Sequence, residues 1–333
     1  MSASEQAVTT FTASQCTNCG AADVKQWCTT YDRLYLTSKQ QFSYSKCRNC
    51  GCIFLSTGPT ESEAYRFYPS NYGPYFAFDT NPASKKTDGP LKQFAYLLSK
   101  GSNILFRRLE PHTVDRKTND FYGKKPHSVL LDFGCGSELF LNAARAKGWE
   151  GIGMDFSQQA INQVTTHGHK GILYDSEDSW TKIPDQSVDA VRMNHVIEHL
   201  YKPKQILKNL YAKLKEGGGI HISTPNAGSV TSSMYNKFWL GLDCPRHVVI
   251  YNPFSLKGIL EEVGFRNVEV AHETVTKDIA RSIGFKQEDK GEIPHEEIGA
   301  KVNDSKLQSI LYSPAVLFSV LKRSDRIHAF ATK

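Results

Sequence analysis

From residue 128 onward, short apolar runs alternate with longer segments in which apolar residues recur every three or four positions. The short runs predict strands and the longer segments predict helices, because side chains repeat every two residues in a strand and every 3.6 in a helix. The predicted strands cover 129–133, 151–155, 171–174, 188–193, 220–223 and 266–270, and a last one starts at Asp325. The predicted helices lie near 138–147, 157–167, 203–214 and 255–263. This alternation predicts an α/β fold with a parallel sheet and helices on both faces.

The first 58 residues have a different pattern, in which cysteines stand in pairs. Cys16 and Cys19, and later Cys47 and Cys50, each form a Cys-x-x-Cys motif followed by glycine. Two such knuckles are typical of a zinc ribbon, since a two-residue gap lets both sulfurs reach one ion. The strand-like stretches 33–36 and 41–44 predict a hairpin between them. A redox role is the alternative, and Cys28 and Cys52 are expected to be buried or spare.

Residues 59–122 are aromatic, basic and proline-containing. Within them, apolar residues from Leu91 to Leu109 recur at helical spacing. The intervening cations are Lys92, Lys100, Arg107 and Arg108. Such a helix can lie on a membrane surface, although packing between two domains is the favoured interpretation. We therefore expect a zinc ribbon at 1–58, a helical linker at 59–122 and an α/β domain at 123–333. Insertions are expected near 225–250 and 272–323.

Composition narrows the class of protein without identifying it. The chain has 333 residues, of which 40% are hydrophobic and 22% charged, as in ordinary globular proteins. No secretory signal is apparent, so the eight cysteines favour metal binding over disulfides and a cytoplasmic location is expected. A net charge of +6 suits an anionic substrate or a membrane surface, and it lacks the dense basic character typical of nucleic-acid binding.

A glycine turn joins the first predicted strand of the α/β domain to its helix. Asp132, Gly134 and Gly136 lie in this turn, and Asp155 ends the next strand. Glycines allow a close approach to a ligand, and an acid at the end of the second strand accepts ribose hydroxyls. The spacing therefore predicts an adenosine site. A dinucleotide fingerprint requires another glycine at Leu139, so nicotinamide binding is disfavoured.

The order and spacing of several motifs resemble the class I S-adenosylmethionine (SAM) methyltransferases over about 200 residues. The motifs are the 129–155 unit, Asp185-Gln-Ser-Val-Asp189, Asn194-His-Val-Ile-Glu-His199, Leu214-Lys-Glu-Gly-Gly-Gly and Ser223-Thr-Pro-Asn226. The resemblance implies a Rossmann-like seven-stranded sheet whose last strand is antiparallel and inserted beside the fifth. The zinc-ribbon front and residues 238–247 look like a bacterial subgroup associated with surface polysaccharides and natural products.

The resemblance also implies which residues hold the cofactor. Gly134 and Gly136 would line the methionine and ribose, Asp132 would position the ammonium group, and Asp155 would take the ribose hydroxyls. The remaining predicted contacts are Phe156 on the adenine, Asp175 and Ser176 near the adenine amino group, and Asn194 and His195 facing the methyl group.

Glu138 occupies the position where the family usually has a third glycine. Its carboxylate either helps to cap the following helix and points away from the ligand, or blocks the methionine moiety. The first interpretation is favoured, and the second would make the chain a non-catalytic binding protein with a degenerate pocket.

The segment from His195 to His199 matches a signature of zinc proteases, H-x-x-E-H. There, two histidines bind zinc and a glutamate such as Glu198 activates water. Because the match lies inside a methyltransferase-like order of motifs, we expect Glu198 and His199 to orient the loop and pack.

The acceptor site is less well defined by sequence. His247 is the first candidate for a general base and His195 the second, because histidine exchanges protons near neutral pH. Arg246 suits an acceptor phosphate or carboxylate, and Tyr235, Phe238 and Trp239 suit an apolar wall. The leading hypothesis is methyl transfer to a small molecule, sugar or lipid-linked saccharide, and the main enzymatic alternative is an rRNA or tRNA methyltransferase.

Overall fold

The computed structural model describes residues 8–69, 90–123 and 125–333, and its largest element is a seven-stranded sheet. The strand order is β7-β6-β5-β8-β9-β12-β11. Strands β5 to β9 are parallel, and β12 lies antiparallel between β9 and β11. The strands are β5 (Ser128–Phe133), β6 (Trp149–Asp155), β7 (Lys170–Leu173), β8 (Val188–Asn194), β9 (Leu214–Pro225), β11 (Arg266–Glu273) and β12 (Arg326–Thr332). The predicted fold class is confirmed, including the inserted last strand.

Helices connect and flank these strands. They are α1 (Pro90–Leu109), α2 (Thr113–Phe121), α3 (Leu139–Arg145), α4 (Gln158–Thr166), α5 (Pro203–Lys213), α6 (Val230–Tyr235), α7 (Pro253–Val263), α8 (Lys277–Asp289), α9 (Glu297–Val302) and α10 (Ser305–Val320). Helix α7 shows why the sequence sets these limits. The side chain of Asn252 accepts a hydrogen bond from the backbone N–H of Ser255, proline occupies the first turn, and Gly264 ends the helix at φ 119°.

The two predicted insertions contain regular structure. The segment near 225–250 holds α6, short 3₁₀ turns and strand β10 (Val249–Ile250), and the segment near 272–323 holds α8, α9 and α10. These elements contribute to the carboxyl edge of the sheet, where ligands of open α/β sheets bind.

The cysteine-rich region forms a second, antiparallel sheet. Its strands are β1 (Thr10–Thr12), β2 (Val24–Thr30), β3 (Phe42–Cys47) and β4 (Ile53–Pro59), and β10 pairs with β4. The hairpin predicted from 33–36 is wrong, since β2 lies earlier in the chain. Residues 33–36 turn instead, because the Asp32 carboxylate accepts hydrogen bonds from the backbone N–H groups of Leu34, Tyr35 and Thr37.

The two sheets share one hydrophobic core. Cys52 and Phe54 of the ribbon pack in the same buried cluster as Leu131 and Val191 of the large sheet. The backbone N–H of Leu55 donates to the oxygen of Val248, next to β10, at 2.9 Å. The ribbon is therefore fixed to the end of the 225–250 insertion. Among the described residues, no helix has the length and apolar content needed to cross a bilayer.

Candidate active site

The glycine turn after β5 is held against the end of β6. Gly134 and Gly136 have positive φ angles of 73° and 63°, which glycine adopts without strain. A side chain at Gly134 would also meet Val196, 2.3 Å from the position of its Cβ. The Asp155 carboxylate accepts hydrogen bonds from the backbone N–H groups of Gly136 and Ser157, both at 2.9 Å. The turn and the acid that sequence predicted as one site are therefore in direct contact.

Aromatic rings form a wall beside Asp155. Phe156 is 51% exposed and packs edge-on against Tyr174 and Phe133, with ring centroids 4.9 and 5.9 Å apart. Phe133 in turn stacks on Trp180. An exposed aromatic ring braced from behind, next to a carboxylate, suits a flat heterocycle such as adenine.

Glu138 points away from this turn. Its carboxylate lies 3.8 Å from Nε2 of His167, the residue that follows α4. Helix α4 begins at the carboxyl edge of the sheet, after Asp155, and runs back toward the opposite edge. The side chain of Glu138 therefore follows α3 away from the turn and makes no capping hydrogen bond. The predicted capping role of Glu138 is therefore wrong, whereas its carboxylate does point away from the turn, as the favoured interpretation expected.

Asp132 is buried and paired. Nη1 of Arg192 donates to both of its carboxylate oxygens, at 3.0 and 2.9 Å, and the side chain is fully inaccessible. Burial raises the pKa of Asp132, and the charge and hydrogen bond of Arg192 act in the opposite direction. Sequence reasoning missed this partner, although an arginine between the apolar residues Val191 and Met193 of strand β8 was a signal. Asp132 thus sits beneath the turn, without direct access to a ligand ammonium group.

Asp175 and Ser176 lie exposed just after β7. The Asp175 carboxylate accepts hydrogen bonds from the hydroxyl groups of Ser179 at 2.8 Å and Ser176 at 3.2 Å. The Ser179 hydrogen bond is the main cause that lowers the pKa of Asp175. The group is therefore an ionised acceptor at the same edge of the sheet as Asp155.

Asn194 ends β8, and His195 follows it in a left-handed conformation with φ 56°. Left-handed backbone is uncommon for a non-glycine residue and clusters at functional sites. Nδ1 of His195 lies 3.1 Å from the Glu198 carboxylate, and the imidazole is 30% exposed. His195 is therefore held from one side and reaches solvent at the carboxyl edge.

Glu198 is fully buried, and its carboxylate accepts hydrogen bonds from two side chains. Besides His195, Thr224 donates its hydroxyl to the carboxylate at 2.9 Å. Burial alone raises the pKa of Glu198, but the His195 hydrogen bond and the charges of His195, His247 and His199 lower it to about 2. The Glu198 carboxylate is therefore ionised near neutral pH.

His247 lies deeper than His195. Its side chain is 9% exposed, its Nδ1 lies 2.8 Å from the carbonyl oxygen of Gly241, and its Nε2 lies 3.9 Å from Glu198. Of the two candidate bases, His195 is therefore the more accessible to an acceptor, and a base must reach the proton that it removes.

Arg246 has no access to an acceptor. Its five N–H groups donate to the carboxylates of Asp32 and Asp243 and to the carbonyl oxygen of Phe67, and its side chain is fully buried. The predicted role of Arg246 in binding an acceptor does not fit this geometry. Trp239, predicted in an apolar wall, is also buried, and its indole N–H donates to Asp325 at 2.9 Å.

The H-x-x-E-H segment does not form the protease arrangement. Residues 197–199 are a 3₁₀ turn, so His195 and His199 are not one α-helical turn apart. Nδ1 of His199 instead contacts the carbonyl oxygen of Arg246 at 3.1 Å. The groups that come within 4.8 Å of one another here are Glu198, His199 and His247.

The four predicted zinc ligands converge. The sulfurs of Cys16 and Cys50, and of Cys19 and Cys47, are 3.7 Å apart, and all four lie within 4.8 Å of one another. A tetrahedral zinc ion with bonds of about 2.3 Å places its sulfur ligands about 3.7 Å apart, so the four thiols fit zinc. Cys52 is also buried here, 3.4 Å from the sulfurs of Cys16 and Cys50.

Comparison with known proteins identifies the large domain. Residues 105–270 match a family model described as a methyltransferase domain. Residues 105–270 form a SAM-dependent methyltransferase domain. A ubiquinone biosynthesis O-methyltransferase from Idiomarina loihiensis is 30% identical over 146 residues, which cover 42% of this chain and 56% of the relative. A probable SAM-dependent methyltransferase from Mycolicibacterium smegmatis is 29% identical, over 41% of this chain and 51% of the relative.

A solved SAM-dependent methyltransferase from Archaeoglobus fulgidus is 24% identical, with a TM-score of 0.44 over 70% of this chain and 94% of its own. The chain spans about half the length of the curated methyltransferases that it matches. The resemblance predicted from sequence is confirmed at the level of the family.

Proposed function

We propose that this methyltransferase transfers a methyl group from SAM to a small-molecule acceptor whose nucleophile is deprotonated by His195. The observation that carries the proposal is the position of the His195 and Glu198 pair. It follows β8 at the same edge of the sheet as the glycine turn and Asp155. A base and an adenosine-type site at one edge suit transfer between a bound cofactor and an acceptor.

The residues of the turn suit the cofactor. Asp155 is almost fully buried, and this burial raises its pKa because the charged carboxylate loses contact with water. The hydrogen bond from the backbone N–H group of Gly136 lowers the pKa of the same carboxyl group. Ribose hydroxyls would add donors to this carboxylate. Phe156 would pack on the adenine, and Gly134, Gly136, Asp175, Ser176 and Asn194 would complete the site. When bound, SAM supplies a methyl group activated by its sulfonium centre.

His195 has the arrangement of an oriented base. Its Nδ1 donates to ionised Glu198, which leaves the Nε2 lone pair to accept a proton from the acceptor. Glu198 then stabilises the imidazolium that forms. The buried carboxylate acts through His195 and is a positioning residue.

The acceptor is proposed to be a small molecule with an oxygen or carbon nucleophile. Curated relatives include proteins named ubiquinone biosynthesis O-methyltransferase, which favours a small molecule over a polymer. A sugar or lipid-linked saccharide is the specific class that we propose, on the resemblance of the ribbon and of residues 238–247 to polysaccharide-pathway methyltransferases.

An acceptor screen with SAM carrying a labelled methyl group tests this proposal. Label should enter a saccharide or glycolipid fraction with the wild-type chain and fall at least 100-fold with His195→Gln. Label that enters RNA would support the RNA-methyltransferase alternative, and a chain that binds no SAM would support the degenerate-pocket alternative.

We extend the proposal to one structural zinc ion on Cys16, Cys19, Cys47 and Cys50. Four thiolates leave no open coordination position, so this zinc would stabilise the ribbon and take no part in chemistry. Elemental analysis should find one zinc per chain, lost in a Cys47→Ser variant. A zinc content unchanged by that substitution would contradict the assignment.

A further inference from the structure

Helix α1 presents its apolar side to solvent. Leu91, Phe94, Leu98, Leu105 and Leu109 follow one another at intervals of three, four, seven and four residues, so they form one stripe along the helix. We call them the α1 stripe. Each of these side chains is between 52% and 80% exposed. A continuous apolar surface of this kind on a folded protein marks an interaction site.

A different side of α1, centred about 100° around the helix from the stripe, is held to α10 by polar side chains. The hydroxyl groups of Ser99 and Ser309 are 2.9 Å apart, and Asn103 donates its side-chain amide to the backbone oxygen of Ser309 at 2.9 Å. The hydroxyl groups of Ser102 and Ser313 are 3.0 Å apart. The hydrogen bonds to α10 are thus made by small polar side chains, whereas the leucines of the stripe face solvent. These hydrogen bonds keep the stripe directed outward.

The charges on α1 are all positive. The helix carries Lys92, Lys100, Arg107 and Arg108, and it has no acidic residue. Lys92 pairs with Asp304, whereas neither Arg107 nor Arg108 forms an ion pair with a described residue. At 100° of rotation per residue, Arg108 projects within about 40° of Phe94, beside the apolar stripe. A partner that contacts the leucines and the arginines together must have an apolar layer with an anionic layer directly above it.

We infer that α1 lies flat on an anionic lipid bilayer, with its stripe at the acyl boundary and its arginines on lipid phosphates. A second copy of this chain suits the surface less well. Two stripes packed face to face would draw Arg108 of each copy into an apolar contact in which α1 offers no acidic partner. The inference is independent of the proposed methyl transfer, because no cofactor or base residue takes part in it.

Vesicle flotation with the full chain tests the inference. The chain should bind vesicles of phosphatidylcholine and phosphatidylglycerol at 3:1, bind pure phosphatidylcholine more weakly, and lose most binding at high salt. A Leu98→Glu, Leu105→Glu variant should bind at least tenfold more weakly. An Arg107→Gln, Arg108→Gln variant should lose about ten- to thirtyfold in affinity for the anionic vesicles only.

The matched control is Phe254→Ser, which removes a 72% exposed aromatic side chain on α7. This variant should bind vesicles as the wild type does, and circular dichroism should show all variants folded. Absence of binding to anionic vesicles, or binding that the α1 variants leave unchanged, would overturn the inference. A concentration-dependent dimer that the Leu98→Glu, Leu105→Glu variant abolishes, without lipid binding, would assign the surface to a second copy instead.

Discussion

Two groups of buried charge lie close together at the carboxyl edge of the large sheet, and they differ in access. One is the open pair, His195 and Glu198, in which the imidazole is 30% exposed. The other is the closed cluster, Asp32, Asp243 and Arg246, in which the Arg246 side chain has no exposure. Both contain an ionised carboxylate beside a basic group, but only the open pair leaves a nitrogen atom for a ligand.

This difference in solvent access distinguishes residues that can act on a ligand from residues that stabilise the fold. All five N–H groups of Arg246 are used within the protein, so a ligand would have to compete with two carboxylates. His195 uses one nitrogen atom internally. His247 lies between the two groups, with Nε2 3.9 Å from Glu198 and 3.8 Å from Asp243.

The largest expected effect comes from breaking the closed cluster. Arg246→Met leaves Asp32 and Asp243 buried without their partner, so the free energy of unfolding should fall by about 3–5 kcal/mol. Chemical denaturation measures this change. Arg48→Met, which removes an exposed arginine, is the control and should alter the same quantity by less than about 0.5 kcal/mol. A stable Arg246→Met chain that has lost activity would place Arg246 in the acceptor site.

Breaking the open pair should affect catalysis more than stability. His195→Gln removes the proton acceptor, so we expect kcat to fall about 100- to 10,000-fold. The melting temperature and the affinity for SAM should stay close to those of the wild type. The rate should be measured with the acceptor found by the labelling screen, and Glu198→Gln should lower kcat in the same direction. An unchanged kcat in His195→Gln would show that another residue is the general base.

His199, whose ring packs edge-on against His247, predicts a smaller, pH-dependent effect. Burial, aided by the charge of His247, lowers the pKa of His199 from 6.5 to about 4. Between pH 6.5 and 4 the unfolded chain therefore binds a proton here that the folded chain does not. The free energy of unfolding should fall by up to roughly 3 kcal/mol as the pH drops through this window.

Denaturation of His199→Gln at several pH values measures that contribution. The pH dependence between 6.5 and 4 should be flatter than in the wild type, whereas exposed His112→Gln should leave it unchanged. A wild-type slope retained in His199→Gln would show that other groups cause the loss of stability in acid.

Sequence predicted the features that depend on neighbouring residues. The strand order was predicted from the family resemblance, and the tight turn after β5 was predicted from Gly134 and Gly136. The convergence of the four cysteine sulfurs was predicted from the spacing of the cysteines along the chain. Contacts between residues far apart in the sequence could not be predicted from the sequence. Arg246 was predicted to bind a ligand, and its partner Asp32 could not be foreseen because it lies 214 positions away, next to the stretch 33–36 that was predicted as a strand. The burial that makes His247 less accessible than His195 likewise arises only in the folded chain.

The central claim is that the glycine turn forms a working SAM site although Glu138 replaces the family's third glycine. Titration calorimetry with S-adenosylhomocysteine, on the wild type and on Glu138→Gly, tests this claim most directly. Because the Glu138 carboxylate points toward His167, the wild type should bind one molecule per chain, and the substitution should change the affinity less than about threefold. No binding by the wild type, with binding restored in Glu138→Gly, would contradict the account.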